Sequence, residues 1–198
     1  YSLFPDINPI YKEGMDKFAE DVKMMTDGQL DIKYIPLKEE KENTDSTKVF
    51  DAVANGTVEM GFGTSRLFEA NRIPGNDFWY AIPFGLNAGN MYEWLKQKGG
   101  LELWREIYAK HNVVPFPIGD TGGAMGGWFN KEIGKVDDLK GLRIRDKGII
   151  DEVWKKLGAE PIWIESPSVL DNYKTKKIDA TVGLGPYNDE KFGFQKES

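Results

Sequence analysis

An α/β protein with mostly parallel sheets is predicted on three observations. Helical and strand patterns alternate along most of the chain. The 198 residues suffice for one large domain or two small ones around a continuous core. The composition, 40% hydrophobic and 29% charged, is that of an ordinary globular protein rather than a disordered or fibrous one.

Asn8-Pro9 reads as a helix start, a capping side chain followed by proline at the first helical position. Ile10, Tyr11, Met15, Phe18, Ala19, Val22 and Met25 then trace a helical stripe that ends at Asp27-Gly28. Leu30, Ile32 and Tyr34 alternate with Asp31, Lys33 and Ile35 and predict a strand closed by Pro36. Lys38 to Asn43 is a charge run of the kind found in solvated loops. Asp45 or Ser46 can cap a second helix through Val49, Phe50, Ala52 and Val53, stopped by Asn55-Gly56. A short strand is expected over Val58–Gly63.

Two helices follow, one carrying Met91, Trp94 and Leu95, the next Leu101, Trp104, Ile107 and Tyr108, with Gly99-Gly100 between them. Val113–Ile118 is a compact apolar run broken by prolines, predicted as a strand. The glycines at 119, 122, 123, 126 and 127 interrupt the pattern and suggest a boundary, with a first domain over 1–121 and a second over 122–198. Beyond it the order is strand (Leu142–Arg145), helix (Ile149–Leu157), strand (Pro161–Ile164), helix (Val169–Lys177) and strand (Ile178–Val182).

Composition excludes several chemistries. Without cysteine there are no disulfides, thiolate nucleophiles or iron–sulfur clusters, and one histidine, His111, cannot make a two-histidine metal site. The net charge of −6 argues against a nucleic-acid partner, which calls for a basic face. Apolar stretches stay far below the roughly 20 residues of a bilayer span. Tyr1 is preceded by no initiator Met or leader pattern, as expected of a processed or partial chain.

Motif matches are few. Asp120-Thr121-Gly122 has the short aspartic-protease pattern, but that chemistry needs two such carboxylates and one copy is present. No phosphate-binding glycine loop and no calcium loop occurs. The acids are scattered; Asp120 and Asp179 are the candidates for an α/β hydrolase or lyase, the alternative function. Arg143 and Arg145 share one face of their predicted strand. At a strand end in an α/β fold, Arg145 points toward the crevice where such folds bind ligands, and its forked donors suit a carboxylate. An ordinary ion pair with Asp146 or Asp151 is the competing reading. Phe78-Trp79-Tyr80, Phe84 and Trp128 could line such a crevice or be plain core.

Seven segments resemble the solute-receptor subunits of TRAP transporters, in order along nearly the whole chain. They are Ala52–Gly61, Ile82–Ala88, Gly99–Trp104, Tyr108–Phe116, Met125–Ile133, Val136–Leu142 and Gly185–Asp189. The nearest branch is the DctP-like one whose receptors bind 2-oxo acids, lactate and related carboxylates. The resemblance implies a two-lobed, periplasmic-binding-protein-like α/β architecture with mixed, mostly parallel sheets, and a cleft that closes on an organic anion. It also implies a periplasmic, non-catalytic receptor whose partners are a small carboxylate and the TRAP membrane subunits, with a homodimer as a further possibility. In that family an arginine after a Lys-Gly-Leu-x-x segment clamps the substrate carboxylate, and Arg145 occupies the matching position. The candidate ligand-binding set is therefore Arg145, Phe84, Thr121 and Trp128.

Departures accompany the resemblance. Ala124 stands where the family commonly has glutamine, Val182 and Gly183 where it has an acidic and an aromatic residue, and Asp146 where proline follows the arginine. The first three replace groups associated with a metal ion beside the carboxylate, so no metal and no cofactor is expected. The family's first strand should precede Tyr1 and its later segments follow Ser198, so the architecture is expected to be incomplete in this chain.

Overall fold

The computed structural model describes residues 9–33, 47–65, 73–80, 82–120, 122–164 and 168–197. The chain divides into two compact units, 1–69 and 70–198.

In the first unit, α1 (Pro9–Met25) ends where Asp27 and Gly28 turn to positive φ, and Gly28 N donates back to Lys23 O at 2.8 Å. The strand expected over Leu30–Pro36 is not formed in its described part, Leu30–Lys33, and the rest lies outside the described residues, as do the charge run and both candidate caps of the second helix. The backbone has another use there: Leu30 N donates to Thr26 Oγ1 at 3.1 Å, tying the segment to the helix end instead of to a ladder. The second helix, α2 (Thr47–Ala54), buries Val49 and Phe50. Val58–Gly63 is likewise not a strand but a turn with one bridge at Phe62. Asn55 Oδ1 takes Thr57 N at 3.0 Å and Val58 N returns to Ala52 O, so helix closure consumes the donors a strand would offer.

The second unit opens with a 3₁₀ turn, Asn76–Trp79, against a helical hairpin of α3 (Ala88–Gln97) and α4 (Gly100–Ala109). Asn87 caps α3 by accepting from Asn90 N at 2.9 Å. Gly99, at φ 85, makes the reversal, and Gly100 lies so close to Trp94 that a Cβ would sit 2.6 Å from the ring. Trp79 stacks on Trp104 (5.6 Å, 10°) and on Trp94 (6.1 Å) and donates to Gly100 O at 3.0 Å. Buried Asn76 accepts from Tyr108 Oη at 2.7 Å. Gly100→Ala should therefore lower stability by ~1–3 kcal/mol through overpacking, read as a shift of the urea midpoint.

The segment expected as a strand over Val113–Ile118 pairs with no strand among the described residues, and Val114, Phe116 and Ile118 are exposed. Pro115 and Pro117 bring no N–H to a ladder.

A four-stranded mixed sheet follows, ordered β1 (Trp128–Phe129), β4 (Ala180–Thr181), β2 (Arg143–Arg145), β3 (Glu160–Ile162). β2 is parallel to β3 and β4, and β1 is antiparallel to β4. Between them run α5 (Ile149–Lys156), α6 (Val169–Lys174) and, after β4, α7 (Pro186–Phe192). Pro161 is accommodated because β3 is an edge. Register places Phe129, Ala180, Ile144 and Pro161 in one row, and Trp128, Thr181, Arg145 and Ile162 in the next, facing opposite sides. The first row joins a core of Leu139, Leu142, Ile144, Ala159 and Ala180, closed by Trp154 and Leu157. Trp128, in the second row, packs with Val169, Tyr173, Ile178 and Phe194. Helices on both faces of a short parallel-rich sheet are the α/β arrangement that the alternation predicts.

Candidate functional site

The Trp128–Thr181–Arg145 row carries most of the candidate chemistry. Arg145 closes β2, where its Nε donates to Ile164 O at 2.9 Å and its guanidinium lies 4.4 Å from the centroid of the Trp163 ring. The hydrogen bond and the ring together fix the plane of the fork. Lys147 Nζ stands 4.8 Å from the centroid of the same ring, so two cations contact one indole at the carboxyl end of a parallel strand. That concentration of positive charge suits an anion. Asp146, between them in sequence, is buried; it takes Trp154 Nε1 at 3.0 Å and Lys147 N at 2.9 Å.

Arg143, two residues earlier, has a different task. Its Nε and Nη2 reach Asp179 Oδ2 and Oδ1, each at 2.8 Å, and Nη2 also donates to Lys176 O. Arg143 N reaches Oδ2 at 3.0 Å and Asn130 Nδ2 reaches Oδ1 at 3.3 Å, so the carboxylate clasps β2 to the approaches of β1 and β4. Hydrogen bonding from Arg143 holds the Asp179 carboxyl well below the usual carboxylate range, against the opposing effect of burial. Asp120 is exposed and takes Gly122 N at 2.7 Å in a local turn. Both acids named for hydrolytic chemistry are thus engaged in holding backbone.

Trp128 is half-buried, stacks on Phe194 (6.4 Å, 20°) and donates Nε1 to Asp189 Oδ2 at 2.8 Å. Thr181, 1% exposed between Trp128 and Arg145, has an Oγ1 with no hydrogen-bond partner. Thr121 lies outside the described residues. Phe84 is fully exposed at φ 58 and lines an apolar groove of about 310 Å³ together with Phe78, Ile82, Gly85, Leu86, Met91 and Trp94. Of the four candidates, Arg145 and Trp128 therefore flank one row, while Phe84 belongs to a groove formed by residues 78–94.

Trp163, Thr181 and Asp189 are additions that sequence reasoning does not single out as site residues. Asp189 has a signal, since it ends the Gly185–Asp189 signature, but its partner Trp128 is 61 residues away. Among the described residues no three Asp, Glu, His or Cys side chains converge as a metal cage. Thr181 Oγ1 is a buried side-chain oxygen in this row with no hydrogen-bond partner among the described residues.

Residues 2–196 match the model of the bacterial extracellular solute-binding protein family 7. The chain is 40% identical over 183 residues to a monocarboxylate 2-oxoacid-binding periplasmic protein of Nostoc sp., covering 92% of the chain and 49% of that relative. A TRAP periplasmic solute-binding protein of Pseudoalteromonas atlantica, solved with sodium and pyruvate, superposes with a TM-score of 0.89 at 36% identity. One from Colwellia psychrerythraea, solved with calcium and pyruvate, gives 0.91 at 34%. Each covers the whole of this chain, which spans 59% of the solved proteins and about half of the curated relative.

These relatives correct one expectation. The replacements at Ala124, Val182 and Gly183 suggest a site without metal or cofactor, yet both solved relatives hold a cation together with their carboxylate. Side-chain identity at three positions is a poor guide because hard cations also take oxygens from backbone, hydroxyl, water and the anion itself. On the match over nearly its whole length, the chain belongs to the bacterial extracellular solute-binding protein family 7.

Proposed function

We propose that the complete protein is the periplasmic receptor of a TRAP-type transporter, capturing a small 2-oxo monocarboxylate or related organic acid and presenting it to the membrane subunits. The observation that carries this reading is Arg145, oriented by Ile164 O and Trp163 beside Lys147 at the end of β2. A fork held in that way loses little freedom on receiving a carboxylate, so most of its charge-assisted hydrogen bonding appears as affinity. Trp128 supplies an apolar wall in the same row, and Phe84 and Thr121 complete the proposed ligand-binding set.

In this reading a first lobe runs through residue 121 and a second from 122. The four strands of the described sheet all follow Gly122, although the boundary lies inside the second compact unit. A hard cation, sodium or calcium as in the solved relatives, accompanies the anion, and Thr181 Oγ1 would be a ligand from this chain. Such an ion would neutralise the carboxylate and polarise its neighbouring oxygen. Capture without turnover is supported by the family's description as solute-binding proteins and by the engagement of Asp120 and Asp179. No helix among the described residues is long and apolar enough to cross a membrane, which agrees with membrane subunits supplied by other chains.

Calorimetric titration of the full-length protein with pyruvate tests the reading. Saturable binding at one site is expected, with pyruvate recovered chemically unchanged. Treatment with a chelator in sodium-free buffer should weaken binding about tenfold, the size of one charge-assisted contact. Failure to bind pyruvate, lactate or any other small monocarboxylate would overturn the assignment; conversion of the ligand would move the protein to the hydrolase or lyase class.

A further inference from the structure

Asp189 is a buried carboxylate to which the reading above gives no task. It is 1% exposed, and its oxygens accept from Trp128 Nε1 at 2.8 Å and Leu184 N at 2.9 Å. Among the described residues both side-chain partners are neutral N–H groups. The space it fills exists because residue 183 is glycine: a Cβ there would come within 2.1, 2.3 and 2.4 Å of Oδ1, Oδ2 and Cγ. The backbone of Gly183 is not in the left-handed region, and the three atoms nearest to an added Cβ all belong to this carboxylate.

We propose that Asp189 is a positioning residue for ligand capture. By holding the Trp128 indole through its N–H, it fixes that ring in the row with Thr181 and Arg145, and Gly183 is the vacancy that lets it do so. The inference rests on the assignment of the Arg145 face as the ligand site. A charged acceptor holds a donor about twice as strongly as a neutral one, and a buried one has no water to compete with. With Asp189 gone, the indole N–H loses its partner and the ring its fixed rotation, while the Phe194 stack remains. Trp128 would then sample orientations that do not meet the anion.

The test joins a ligand-independent reading to an affinity cycle, both on full-length protein. In ligand-free protein, one indole N–H resonance, assigned by its loss in Trp128→Phe, should move on Asp189→Asn. It should move in the same sense on Gly183→Ala, which displaces the carboxylate without removing it. An unmoved resonance in both variants overturns the proposal whether or not any ligand binds. With pyruvate, each variant should weaken binding about tenfold, and the two together little more than either alone. In a Trp128→Phe background, Asp189→Asn should leave affinity unchanged while still lowering thermal stability. A full affinity loss persisting in that background would make Asp189 a general scaffold residue and sink the positioning role. If Arg145→Ala leaves affinity intact, the site reading fails; if it abolishes binding while Asp189→Asn has no effect on affinity, the site stands and this inference alone falls.

Discussion

Arg145→Ala is expected to weaken carboxylate binding by tenfold or more in calorimetry, with a small effect on folding. A charge-assisted pair of this kind is worth ~1.5–3 kcal/mol net, and truncation leaves the anion poorly paired in its site. Among the described contacts, the folded protein loses a hydrogen bond to Ile164 O and the contact with Trp163, the latter worth ~0.5–1 kcal/mol. Arg145→Lys should recover only part of the affinity, because an ammonium keeps the charge but cannot offer the planar fork. Unchanged affinity in the alanine variant would remove Arg145 from the site and leave family membership as the sole support for a carboxylate ligand.

Asp179→Asn is expected to do the opposite: to lower stability at neutral pH while leaving affinity almost unchanged. The substitution removes the charge that Arg143 grips with two donors and its own backbone N–H. A loss of ~2 kcal/mol is anticipated, moderated because the Arg143 side chain is 38% exposed and partly screened. The pH dependence has a definite sign. The folded carboxyl lies below its unfolded value of about 3.9, so its contribution is complete above that pH and fades as the pH falls further. Urea unfolding of the native protein should therefore show a midpoint that begins to drop as the pH falls below about 4 and keeps dropping with further acidification, and Asp179→Asn should flatten that drop. An equally steep acid limb in the variant would mean that other carboxylates govern acid stability.

Arg143 and Arg145 also mark how far the sequence could be read. Alternation sufficed to put both on one face of a strand, and the structure agrees. Which of them is structural depends on Asp179, 36 residues away, and no local pattern records that pairing. The helices of both units were legible because their apolar stripes and stop signals are local. Three expected strands had a suitable pattern, but none is seen over the described residues Leu30–Lys33, Val58–Gly63 and Val113–Ile118, where Leu30 N and Val58 N close helix ends and Pro115 and Pro117 bring no N–H. The two-residue strand Trp128–Phe129 is too short to announce itself and exists because β4 lies beside it. The cation expectation failed for a related reason: it weighed side chains at three positions, whereas oxygen ligands can come from groups no motif encodes.

The stacked indoles of Trp79, Trp94 and Trp104 give the helical hairpin an optical label of its own. Rings 5.6 and 6.1 Å apart couple their electronic transitions, which yields a split near-ultraviolet circular dichroism band sensitive to their mutual angle. Trp128, Trp154 and Trp163 lie around the sheet instead, bonded to carboxylates or beneath cations. Dichroism thus reports the hairpin, so one unmodified sample can time the melting of that region by itself.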